Sequence, residues 1–224
     1  VLESCTPYGA NLRPATGRDW RESIRLIRCP EELNEADMAK IKSICVYCGS
    51  SDEVKPAYLT LARDLGRTLA DQDIKLVYGG GGVGLMGACA RATHEAGGEV
   101  LGVMPRFLLQ KERVFDEVEH RIVDDMHTRK QMMFDESDAF IVLPGGIGTL
   151  EEAVEMLSWA RLGLHAKPMA FLDEDGFWAP FFELMNHIID GKFTPESFRG
   201  SLVHASTPES AIAALCDRIV ALDR

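Results

Sequence analysis

Residues 138–152 read DAFIVLPGGIGTLEE: an apolar run, a proline, three glycines, a threonine and two adjacent carboxylates. Glycines at a strand-to-helix turn let backbone N–H groups come close to a ligand, and a helix N-terminus favours anions. Gly145, Gly146 and Gly148 are therefore candidates to hold a phosphate-like group, with Thr149 adding a hydroxyl. Glu151 and Glu152 are expected in the first helical turn, where the helix dipole favours a carboxylate and keeps it ionised. Two readings of them stay open: plain helix stabilisation, or a carboxylate aimed at another part of a bound anion.

Upstream, DDMHTRKQMMF at 124–134 places Arg129 and Lys130 after another strand end. They are either a solvated helix face or the cations of an anion site. A second glycine cluster, VYGGGGVGLMGA at 77–88, contains the G-x-G-x-x-G spacing of Gly82, Gly84 and Gly87. A dinucleotide fingerprint also needs an acidic residue at the end of the next strand. That strand, EVLGVMPR, ends in Pro105 and Arg106 instead, so the glycines serve either tight strand–helix packing or close approach of backbone to an anion. Cys45 and Cys48 form a C-x-x-C inside an apolar strand-like run, with no second pair to complete a zinc site, and small buried residues are the expected role. No metal site is expected.

These residues need a frame. A chain of 224 residues with 46% hydrophobic and 26% charged residues suits one larger soluble domain. A net charge of −11 excludes a general nucleic-acid binder. Six scattered cysteines are too few for a disulfide scaffold, which suggests a reduced, cytoplasmic compartment. No apolar run approaches a membrane span. Strands are predicted at 43–47, 75–78, 99–103, 119–123, 139–143 and 168–172, with a short one at 202–204. Amphipathic stretches such as PAYLTLARDLGRTLADQ lie between them, and Ser206, Thr207 and Pro208 mark the start of a last helix. Strands alternating with helices imply an α/β fold: a single doubly wound, Rossmann-like domain with a mostly parallel sheet. Such a sheet gathers its strand ends at one edge, so Gly49, the loop at 79–84, Pro105 and the glycines at 145–148 should meet there. Residues 1–37, with five Arg, no Lys and three Pro, read as an N-terminal extension, non-native or flexible, and 38–224 as the nucleotide-binding catalytic domain.

The stretch MHTRKQMMFDESDAFIVLPGGIGTLEE, followed by SWARLGLHAKP, resembles the Lonely Guy (LOG) family of cytokinin-activating phosphoribohydrolases. Its motif PGGxGTxxE is met by Pro144, Gly145, Gly146, Gly148, Thr149 and Glu152, and its arginine–lysine pair by Arg129 and Lys130. The opening VYCGSS and the GGGxxGLMG loop match as well, so the resemblance covers about residues 41–190. It implies hydrolysis of the N-glycosidic bond of a nucleoside 5′-monophosphate, without a cofactor. Arg129 and Glu152 would be the catalytic pair. Lys130, Glu112, Gly145, Gly146, Ile147, Gly148, Thr149, Leu150 and Glu151 would contact the nucleotide, as would Gly49, Ser50, Gly81 and Gly82 in the two other matching motifs. Ser158 keeps the hydroxyl of a threonine found in plant members. Members are typically homodimers with the site near the subunit interface. Two other readings stand beside this one: a non-catalytic nucleotide carrier on the same fold, and the amino-acid decarboxylase that some bacterial members are labelled as, which would need pyridoxal phosphate on a lysine.

Overall fold

The structure is a computed structural model and describes residues 41–109 and 113–222. The expectation for residues 1–37, and that for Glu112, lie outside these residues. Seven strands form one sheet: β1 (Ser43–Tyr47), β2 (Lys75–Tyr78), β3 (Val100–Pro105), β4 (Glu119–Val123), β5 (Ala139–Val142), β6 (Met169–Leu172) and β7 (Val203–Ala205). Among the described residues six α-helices accompany them: α1 (Pro56–Asp71), α2 (Gly84–Glu95), α3 (Met126–Asp135), α4 (Ile147–Arg161), α5 (Ala179–Asp190) and α6 (Pro208–Leu222). The strand order is β4-β3-β2-β1-β5-β6-β7, and every adjacent pair is parallel. The sheet is thus parallel throughout, and among the described residues antiparallel pairing is confined to an isolated bridge between Gly81 and Val114.

Composition explains the layering. The central strands SICVY and AFIV are buried along their whole length, as a parallel sheet covered on both faces requires. Alternate residues serve opposite faces: Ile44, Val46 and Cys48 join the core beneath α1, α2 and α6, whereas Cys45 and Tyr47 join the core beneath α3, α4 and α5. The two cysteines of the C-x-x-C therefore point to opposite sides of the sheet and cannot act as a dithiol. Burial pushes both thiols well up, which keeps them protonated. At one edge β4, EHRIV, is half exposed and carries charge, which discourages pairing with another chain. The third strand runs on to Pro105, beyond the expected 103, because a proline at a strand end gives up one ladder donor only. In α6 the Thr207 Oγ1 accepts the Ser210 N–H at 3.2 Å, so the predicted cap forms. Among the described residues no helix is long and apolar enough to cross a membrane.

From β1 the chain builds outward to β4, then returns to place β5 on the other side of β1. This reversal opens a crevice at the carboxyl ends of β1 and β5. The two loops there are tied by the Gly49 N–H, which donates to the Pro144 carbonyl at 3.1 Å.

Candidate functional site

Two loops and two helices converge on this crevice. A cavity of about 330 Å³ lies between them, walled by Gly49 and Ser50 after β1 and by Gly145 and Gly146 after β5, with Tyr58 and Phe177 on its apolar side. Its lining reaches Gly146, the residue that precedes α4. A Cβ on Gly145 would come within 2.2 Å of the Thr149 Oγ1, so glycine there lets the buried Thr149 close the turn. At Gly146 and Gly148 a Cβ would meet nothing within 4 Å. Nothing inside the chain demands glycine at these two exposed positions; open backbone is what they supply. No side chain caps α4, in contrast to α3, where the Asp125 carboxylate accepts the Thr128 N–H at 2.8 Å. The first-turn N–H groups of α4 are therefore left without a side-chain partner next to Gly146, a setting that favours an anion.

The carboxylates fall differently from the sequence expectation. The helix begins at Ile147, which puts Glu151 and Glu152 in its second turn rather than its first. The dipole effect fades within one turn, so it does not hold Glu152 ionised. Instead Glu152 is buried at 9% exposure, and desolvation pushes its carboxyl up to about 7 against the opposing pull of Arg129. A carboxyl poised there can exist in either protonation state near neutrality.

Arg129 is equally buried, which removes the reading of a solvated helix face for that residue. Its Nη1 donates to Glu152 Oε1 at 3.2 Å, its Nε to the Val103 carbonyl at 3.1 Å and its Nη2 to the Gly79 carbonyl at 3.4 Å. Gly79 makes the room: a Cβ there would sit 2.1 Å from Nη2. The guanidinium is thus fixed by two strand ends and presented to one carboxylate. Lys130, beside it, bridges Glu151 at 2.6 Å and Glu155 at 2.9 Å. Burial opposes its charge, but the two carboxylates outweigh that and raise its pKa.

The other expected residues divide. Ile147 is 84% exposed at the mouth of the crevice, and Leu150 is half-buried beneath it. Gly81 pairs with Val114, and the Gly82 N–H already donates to the Arg113 carbonyl at 2.6 Å, so these two hold the 113–115 segment against the glycine loop. Ser158 is exposed further along α4, in line with exposed Val154 and Leu162 rather than with Glu152. Sequence reasoning missed Gly79 as an acceptor and spacer for Arg129, and nothing in its GGGG run distinguishes it. It also missed Glu155 as a partner of Lys130, although its place four residues after Glu151 was a usable signal.

The protein family described as "possible lysine decarboxylase" matches residues 86–215. A cytokinin riboside 5′-monophosphate phosphoribohydrolase of Arabidopsis thaliana is 42% identical over 178 residues, 79% of this chain and 83% of that protein. One of Oryza sativa subsp. japonica is also 42% identical over 178 residues, 79% of this chain and 74% of that protein. Among solved structures, the molybdenum cofactor binding protein from Rippkaea orientalis superposes with a TM-score of 0.60 at 23% identity, over 80% of this chain and 98% of that one. That likeness concerns the fold.

Proposed function

Since the chain belongs to the family described as "possible lysine decarboxylase", among relatives that are cytokinin riboside 5′-monophosphate phosphoribohydrolases, we propose that it hydrolyses the N-glycosidic bond of such nucleoside 5′-monophosphates. The products are the free base and ribose 5-phosphate. The observation that carries the assignment of residues is the buried pair of Arg129 and Glu152, 3.2 Å apart beside the uncapped start of α4.

The phosphate sits on the first-turn N–H groups around Gly146, Gly148 and Thr149, with Lys130 supplying a cation and Gly49 and Ser50 the opposite wall. The ribose then lies toward Glu152. As the C1′–N bond breaks, its electron pair leaves with the base and positive charge develops on the sugar, as in glycoside cleavage. The Glu152 carboxylate stabilises that charge, a contribution that is large in a dry, preorganised site. Water adds its hydroxyl to C1′, and its remaining proton balances the departing base. Arg129 keeps the carboxylate oriented and favours its ionised form. A carrier without chemistry would have no use for a buried, mutually fixed pair of this kind. The decarboxylase reading fits poorly, because a Schiff-base lysine needs a free amine and Lys130 is held charged between two carboxylates.

The active form is a homodimer, joined through the exposed face of α4 and the turn after it, which leave Val154 (44% exposed), Leu162 (62%) and Leu164 (66%) open to solvent. Incubation with AMP and with isopentenyladenosine 5′-monophosphate, followed by chromatography of free base, tests the activity. Base release from at least one is expected; none from either rejects it.

A further inference from the structure

Away from the crevice, the charge distribution singles out the groove between α1 and α2. These helices pack closely because Gly66 has no side chain: a Cβ there would lie 2.4 Å from the Cys89 carbonyl oxygen. On the outer rim of that contact is a cavity of about 140 Å³ lined by Arg63, Arg67 and Arg91, with Asp52 and Glu95 as its carboxylates. Three guanidiniums around one small cavity run against a net charge of −11.

Local carboxylates engage one of the three, Arg67. Asp52 Oδ1 accepts the Gly84 N–H at 2.7 Å and so caps α2. Arg67 pairs with Asp64 at 3.0 Å, but among the described residues neither Arg63 nor Arg91 has a carboxylate oxygen within 4.0 Å. Arg91 is also preset: its Nη1 donates to the Gly82 carbonyl at 2.9 Å and its guanidinium lies 5.6 Å from the Phe115 ring centre. An arginine fixed in this way loses little freedom when it binds an oxyanion, and its remaining N–H groups match phosphate oxygens in pairs.

We propose that this groove is a second anion site, holding a phosphate group apart from the catalytic crevice. The small volume admits the phosphate and leaves any attached group outside. Through Arg91 the bound anion is one hydrogen bond from Gly82, in the same loop whose Gly79 carbonyl accepts from Arg129.

Inorganic phosphate titrated calorimetrically into the full chain at low ionic strength, where exposed arginines are least screened, tests this. Wild type is expected to bind at both the crevice and the groove. Arg63→Ala combined with Arg67→Ala should weaken the groove by about tenfold or more, with base release in phosphate-free buffer within about twofold of wild type. Lys130→Ala should remove the crevice site and leave the groove intact. Glycerol 3-phosphate in place of phosphate separates the sources: tighter binding assigns a phosphate ester, equal or weaker binding free phosphate. An arginine variant that is folded by circular dichroism and titrates like wild type overturns the proposal. So does a wild type whose entire binding disappears in Lys130→Ala. Binding in the groove with none in the crevice would leave this proposal standing and count against the phosphate cradle instead.

Discussion

Glu152 Oε1 and Arg129 Nη1 face each other at 3.2 Å, each side chain about nine-tenths buried. The carboxylate arrives from the second turn of α4. The guanidinium is fixed from behind by the carbonyls of Val103 and Gly79, so its position does not depend on the ion pair alone.

The pair sets a pH dependence. Burial raises the Glu152 carboxyl to about 7; with the carboxylate as the proposed working form, kcat/KM should rise with pH through that value and level off above it. A rate that is flat across neutrality contradicts the role. Stability runs the other way. The folded value lies above the unfolded one, so the folded protein takes up this proton first. The cost of burying Glu152 is greatest above about 7 and fades as pH falls toward the unfolded value near 4.5. Denaturant unfolding of wild type and Glu152→Gln should show a stability difference favouring the variant that shrinks over that descent.

Gly79→Ala tests the positioning of Arg129 without touching its chemistry. The added methyl would lie 2.1 Å from Nη2 and must displace the guanidinium. Turnover should fall by about 100-fold, the scale expected for an ångström of misplacement, with the circular dichroism spectrum unchanged. Wild-type turnover would show that the fixed geometry is unnecessary.

The glycines of the cradle should behave unequally. Gly145→Ala forces a methyl against Thr149 and should destabilise the fold by about 1–3 kcal/mol. Gly146→Ala and Gly148→Ala meet open space and should fold as well as wild type, while KM for the nucleotide rises by about tenfold, roughly one lost hydrogen bond. Thermal melts and steady-state kinetics separate the two classes, and unchanged KM in both of the latter would argue against the phosphate site.

Charge on the exposed face of α4 should prevent the proposed dimer. Val154→Asp with Leu162→Asp is expected to give a monomer by light scattering; a wild-type monomer, or a variant of unchanged mass, contradicts that interface.

Much of this was legible in the sequence because local pattern and fold agree. The runs SICVY and KLVY become β1 and β2 at the expected bounds, and turn glycines follow β1, β2 and β5 at the carboxyl edge of the sheet. The starting point of α4 was less legible. Gly146 and Gly148 both read as turn residues, yet the helix already begins at Ile147, and this earlier start moved Glu152 from the first turn, where the dipole acts, to the second. Gly79 was illegible for a different reason: its role is a contact with Arg129, far along the chain, and a run of glycines carries no long-range information.

In the proposed mechanism Glu152 makes base release possible rather than merely holding the nucleotide. Glu152→Gln keeps the shape and can still accept from Arg129, so nucleotide affinity measured by calorimetry should stay close to wild type. Quantifying free base and ribose 5-phosphate in the same samples should give equal amounts from wild type and a rate lower by about 100-fold or more from the variant. Near-normal base release by Glu152→Gln would contradict the account.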